Sequence, residues 1–159
     1  MANGGLRNLG AWDVDASYTP PSNMGTFNAT YEIPNESPPC TGGSLLYWFI
    51  GFQNNDGSGG GVTIVQPVVN YQYNKWVMEP WNCCPSGQSN TGKTIDMGPG
   101  YKAGAWVDAT KENVAIGLSY GAKQSVLTVK DNGRNFDWAC VTLEEYSASC
   151  TNYPDKPFN

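Results

Sequence analysis

Three side chains able to do acid–base or amide chemistry stand in segments that otherwise read as apolar β-strands. Gln66 lies in Ile64-Val65-Gln66-Pro67-Val68, Glu79 in Trp76-Val77-Met78-Glu79-Pro80-Trp81, and Asp137 in Phe136-Asp137-Trp138-Ala139. A positioned carboxylate takes or gives a proton, and an amide orients a water or stabilises a developing oxyanion. Any such chemistry proceeds without histidine, because the chain has none. Ser-His-Asp and Cys-His catalysis are excluded, and so are His-ligated zinc and iron. Carboxylate, amide, tyrosine, lysine and thiol chemistry remain.

The elements that must position these groups are strands. Thr26, Asn28, Thr30 and Glu32 alternate with Phe27, Ala29, Tyr31 and Ile33, the period-two pattern of a half-buried strand. Leu45 to Phe52 is apolar on both faces and reads as a central strand. The glycine-rich turn Asn54 to Gly61 joins it to the strand Val62 to Tyr71. One face of that strand carries Val62, Ile64, Gln66, Val68 and Asn70; the other carries Thr63, Val65, Pro67, Val69 and Tyr71. Pro67 lacks a backbone donor and predicts an edge or a bulge. Lys75 to Trp81 places Trp76 and Met78 on one side and Val77, Glu79 and Trp81 on the other. A loop over 82–94 leads to strands at 103–110, 113–120 and 124–130, and Phe136 to Tyr146 closes the fold. Asp131-Asn132-Gly133 is a strong turn signal. No helix of convincing length is predicted. About ten short strands at this spacing predict an all-β, antiparallel β-sandwich or jelly roll.

A length of 159 residues predicts one domain spanning 1–159, with 1–12 and 151–159 as surface-strapped termini. Nineteen glycines and 11 prolines, against 14% charged residues, fit many short strands and turns. The net charge of −5 and the lack of basic runs argue against a nucleic-acid partner. No hydrophobic run is long enough to span a membrane. MANGGLRNLG has no apolar signal core, so the expected location is secreted if a leader was removed and cytoplasmic otherwise. The five cysteines, Cys40, Cys83, Cys84, Cys140 and Cys150, allow two disulfides and one thiol without fixing the pairing. Cys83 and Cys84 are neighbours, and each is expected to have its own environment. Asn28-Ala29-Thr30 is a glycosylation sequon if the chain is secreted.

Each candidate has a plainer reading beside it. Asp137 shares its face with Ala139, Val141 and Leu143, an inner sheet face; alternatively it sits at the strand's mouth and caps a turn amide. Gln66 is equally odd on a Val/Ile face, but could satisfy backbone donors beside Pro67. Glu144 and Glu145 are expected to be exposed. Gly87-Gln-Ser-Asn-Thr-Gly-Lys-Thr94 fits the phosphate-loop pattern, yet Pro99-Gly100 follows too soon for the helix that pattern needs, so the match is read as accidental. Asn54, Asn55 and Asp56 lack the spaced carboxylates of a calcium loop. No metal and no cofactor is expected. Most aromatics are core, but Trp48, Trp76, Trp81, Tyr71 and Trp138, with Asn70, are candidate ligand-binding residues on a stacking platform.

The order of these segments resembles the glutamic peptidases of fungi, the eqolisin family, over roughly residues 18–147. In that family a strand carries a glutamine, matched by Ile64-Val65-Gln66. An aromatic strand with Trp, Glu and Pro follows, matched by Trp76, Glu79, Pro80 and Trp81. A late Ala-Glu-Trp strand carries the catalytic glutamate, matched by Phe136-Asp137-Trp138 with Asp in place of Glu. The resemblance implies a concanavalin-like β-sandwich with Gln66 and Asp137 as the catalytic pair and Glu79 beside them. It implies a peptide substrate, or a small molecule if the pocket serves isomerisation or cyclisation. The alternatives are a lectin-like sandwich binding a glycan without catalysis, and a structural protein with no small ligand.

Overall fold

The computed structural model describes residues 11–35 and 45–146. The predicted termini, apart from 11–12, and Cys40 and Cys150 lie outside the described residues. The described residues form eleven strands: β1 (Ala11–Tyr18), β2 (Thr26–Glu32), β3 (Leu45–Gln53), β4 (Ile64–Gln72), β5 (Lys75–Cys83), β6 (Asn90–Thr91), β7 (Ile95–Met97), β8 (Lys102–Asp108), β9 (Asn113–Tyr120), β10 (Lys123–Lys130) and β11 (Trp138–Tyr146). Among the described residues the only helical turn is a 3-10 turn at Pro85–Gly87.

The strands make two antiparallel sheets. The larger runs β1-β11-β3-β4-β5-β6, with β7 also paired to β5; the smaller runs β10-β9-β8-β2. The core between them follows from the two-residue period of each strand. Leu46, Trp48, Ile50 and Phe52 of β3, Val65, Val69 and Tyr71 of β4, and Trp76 and Met78 of β5 point inward. They meet Ala103, Ala105, Val107, Val114, Ile116 and Leu118 of the smaller sheet. Ala139 and Leu143 join this core from β11, whereas Val141 is 47% exposed. Strand β11 lies on the far side of β3 from the strands that pack against the smaller sheet, so its inner face is only partly covered.

Two expectations are corrected. Strand β4 is central, between β3 and β5, and the pairing register is unchanged on either side of Pro67, from Phe49↔Val68 to Phe52↔Val65. Pro67 therefore marks neither an edge nor a bulge. It pairs with another proline, Pro80, across β5, and its missing donor falls where bridges to Ile50 and Gly51 are absent. Cys83 and Cys84 are bonded to each other as a vicinal disulfide rather than separately housed.

The Asn54–Gly61 turn is built by one side chain. Asn54, fully buried, donates to the Ser58 and Gly61 carbonyls at 2.5 and 2.9 Å and accepts from the Thr63 amide and hydroxyl at 2.8 and 2.9 Å. All four hydrogen-bonding positions of the amide are used. That closure starts β4 in the register that sends Gln66 outward.

Candidate functional site

The outer face of the larger sheet, turned away from the smaller one, collects the even-numbered residues of β4 and β11 and the odd-numbered residues of β3 and β5. Cross-strand register orders them in rows. Cys140 pairs with Gly51, and Gln66 with Trp81. Thr142 pairs with Phe49, Phe49 with Val68, and Val68 with Glu79. Glu144 pairs with Tyr47, Tyr47 with Asn70, and Asn70 with Val77. Phe49, Ile64, Val68 and Cys140 form an apolar floor against which Tyr47, Trp81, Cys83 and Trp138 pack. Tyr47 and Trp81 reach over Val68 from opposite sides and meet edge to face, ring centroids 5.6 Å apart.

Gln66 is 6% exposed, and its side-chain amide has no hydrogen-bond partner among the described residues. That amide keeps some contact with solvent and is open to a further partner. Asn70, 1% exposed, is orphaned outright: neither its oxygen nor its nitrogen has a partner, a cost of roughly 1–3 kcal/mol that most folds avoid. Glu79 lies diagonally across from Gln66, one pair along from Trp81, at a separation of roughly 7–8 Å between backbones. Its carboxylate is held at both oxygens, by the Trp81 indole N–H at 2.8 Å and the Thr94 hydroxyl at 2.8 Å. Those bonds fix its direction and leave other lone pairs for a water or a ligand. The Tyr47 hydroxyl is kept protonated beyond its usual range, first by burial and then by the charges of Glu144 and Glu79.

The expected pairing of Gln66 with Asp137 is not formed. Asp137 precedes β11 by one residue and is three positions from Cys140, the β11 residue in Gln66's row. Two strand spacings and three residue rises place it roughly 14 Å from Gln66. Its carboxylate accepts the Asn55 amide at 2.7 Å, so Asp137 caps the turn at the strand's mouth. That carboxylate is occupied in holding Asn54–Gly61 against the closing strand. The Asn135 amide, bonded to the Ser58 hydroxyl at 2.6 Å, holds the same junction.

Of the six ligand-binding candidates, Trp81, Trp138 and Asn70 lie on the outer face. Trp48, Trp76 and Tyr71 do not: their parity turns them into the core, where Trp76 packs on Trp48 at 4.8 Å and on Tyr71 at 5.0 Å. The face also brings in residues not singled out in the sequence: Tyr47, Thr94, Thr142 and Glu144. Glu144 is half-buried, not exposed as expected. Counting in twos from Trp138 would have found Thr142 and Glu144. Thr94 had no such signal, because it lies between β6 and β7, strands of two and three residues. Among the described residues no three of Asp, Glu and Cys cluster as a metal-ligand set.

Fold and site together define the class: an antiparallel β-sandwich whose larger sheet carries polar groups on its outer face. Among solved structures, this fold is similar to that of scytalido-glutamic peptidase, determined with a transition-state analogue inhibitor. The TM-score is 0.61 at 15% identity, over 91% of this chain and 69% of that one. At that identity the likeness establishes a shared fold. No family model matches the chain, and no curated protein sequence does.

Proposed function

We propose that the protein is a hydrolase of peptide-like substrates that works through Gln66 and Glu79 on the outer face of the larger sheet. The observation carrying this reading is the Gln66 amide, without a partner among the described residues and diagonal to a carboxylate that two donors hold in place. In the proposed reaction Glu79 takes a proton from a water as its oxygen attacks the scissile carbonyl carbon. The Gln66 N–H donates to the oxygen that gains negative charge. The C–N bond then breaks, and the proton held by Glu79 passes to the leaving nitrogen. Trp81 and Tyr47 supply an apolar wall beside the reacting atoms. The fold shared with a glutamic peptidase supports hydrolysis as the class of reaction.

The test is incubation of the wild-type chain with a mixed peptide library from pH 2 to pH 7, read by mass spectrometry. Cleavage is expected, falling by about 10²-fold or more in Gln66→Ala and Glu79→Gln, each with its folded β signature retained. Absence of cleavage across that range, or full activity in both variants, would refute the proposal.

A further inference from the structure

A second polar site lies away from the outer face, at the open end of the sandwich. A cavity of about 310 Å³ is bounded there by the Asn54–Gly61 turn, the 3-10 turn, β6 and the end of β10. Thr63, Asn82, Asn90, Lys130, Asn132 and Arg134 line it, with no carboxylate in the lining. Thr63 and Asn82 point inward, opposite in parity to Ile64 and Trp81, so this cavity is separate from the Gln66 face.

Arg134 is 5% exposed and lies over the Phe136 ring, 5.2 Å from its centre. Its guanidinium donates to four neutral acceptors: the Asp131 carbonyl at 3.0 Å, the Lys130 carbonyl at 2.9 Å, the Asn82 side-chain oxygen at 2.8 Å and the Thr63 hydroxyl at 3.3 Å. Among the described residues no carboxylate lies within ion-pair distance of it. Asp131 favours its charge only from further away, while burial opposes that charge. Lys130, at the rim, shares its ammonium with Glu112 at 3.4 Å. A guanidinium stays charged at any ordinary pH, and a buried charge without a counter-ion is costly.

Asn82 gives the cavity its direction. It is 5% exposed, and its oxygen accepts from Arg134, which turns its NH₂ the other way; that NH₂ has no partner among the described residues. Arg134 has five N–H donors, and four are accounted for. Two buried donor groups, one carrying a full positive charge, thus border a cavity large enough for a small molecule and free of acidic groups. A free guanidinium N–H and an amide NH₂ at one cavity suit the several acceptor oxygens of a carboxylate or phosphate. Gly59 keeps the wall thin, since a Cβ there would sit 2.5 Å from the Arg134 side chain.

We infer that this cavity binds a small oxyanion, of the carboxylate or phosphate kind, which serves as the counter-ion that the fold does not give Arg134. The phosphate-loop lookalike borders the cavity through Asn90 but has no part in the recognition. It runs from a single 3-10 turn into short strands, so no helix N-terminus faces an anion.

The experiment is thermal unfolding of the whole chain at pH 7 in sodium acetate, citrate, phosphate or sulfate, each against sodium chloride at equal ionic strength. At least one oxyanion is expected to raise Tm saturably at low millimolar concentration, below the range where excluded salts act generally. The rise should reach roughly 5–10 °C at a hundredfold excess over Kd. A response to carboxylates alone, or to phosphate as well, tells the two sources apart. Asn82→Asp supplies a carboxylate beside Arg134 and should abolish the response. Asn90→Glu, at the exposed rim, should weaken it at least tenfold without touching the guanidinium. A wild-type Tm that follows ionic strength alone, or an equal response in wild type and both variants, would overturn the assignment.

Discussion

The outer face around Gln66 and the junction around Asp137 are built from the same residue types and do opposite things with them. At the junction every side-chain amide and carboxylate named is engaged. Asn54 makes four hydrogen bonds, Asp137 caps Asn55, and Asp56 accepts from the Ser58 amide at 2.9 Å and from Asn135 at 3.1 Å. On the outer face, Asn70 is as deeply buried as Asn54 yet neither of its amide atoms has a partner, and the Gln66 amide has none among the described residues. Burial alone does not separate scaffold from site. What separates them is whether the buried polar group is satisfied within the fold.

The sharpest way to break that contrast is at Asn54. Asn54→Ala leaves the Thr63 amide and two turn carbonyls without their partner inside the protein, and should cost roughly 2–4 kcal/mol. Calorimetry or denaturant unfolding would read this as a Tm lower by about 2–4 °C for each kcal/mol. A loss below about 1 kcal/mol would mean that the junction is not held by hydrogen bonding.

Alkaline pH probes two buried hydroxyls, Tyr47 on the outer face and Tyr31 in the core between the sheets. Burial raises the Tyr31 hydroxyl above its usual range, and burial with the charges of Glu144 and Glu79 does the same to Tyr47. A group whose folded pKa is raised binds more protons in the native state. Its stabilisation is complete below the unfolded value, about 10, and is lost as pH rises above it. Stability should therefore fall above about pH 10, and Tyr31→Phe combined with Tyr47→Phe should flatten that fall. An unchanged alkaline slope in the double variant would show that other groups control it.

A smaller effect, of opposite sign, is expected at Asn70. Asn70→Leu removes an orphaned amide at nearly constant volume and should raise stability by about 1 kcal/mol in urea unfolding. A destabilisation of similar size would mean that the amide is satisfied in solution. Smallest of all is Asp137→Asn, which keeps an acceptor for Asn55 and gives up only its charge. It should cost less than about 1 kcal/mol.

Much of this fold could be read in the sequence, because period-two alternation fixes which face each residue takes. The division of β4 into Gln66 and Asn70 against Val65 and Val69 holds residue by residue, as does that of β5 into Glu79 and Trp81 against Trp76 and Met78. Alternation could not say which face was the core. For that reason Trp48, Trp76 and Tyr71 read as a platform although they fill the interior. Linear order was also a poor guide to partnership. Phe136-Asp137-Trp138 reads in sequence as the partner segment of Gln66, yet register sets Asp137 three residues along and two strands away from Gln66. Glu79 is Gln66's diagonal neighbour, a relation fixed by the length of the Tyr73–Asn74 turn. Both turn residues have positive φ, 50° and 62°, as a tight two-residue hairpin requires.

The central claim is that Glu79, and not Asp137, is the carboxylate that works with Gln66. Peptide cleavage by wild type, Glu79→Gln and Asp137→Asn, with kcat/KM and Tm measured on the same preparations, tests it most directly. The account predicts that Glu79→Gln loses about 10²-fold or more in kcat/KM with Tm nearly unchanged, while Asp137→Asn keeps its activity within about threefold. A large loss of activity in Asp137→Asn beside an active Glu79→Gln would contradict it.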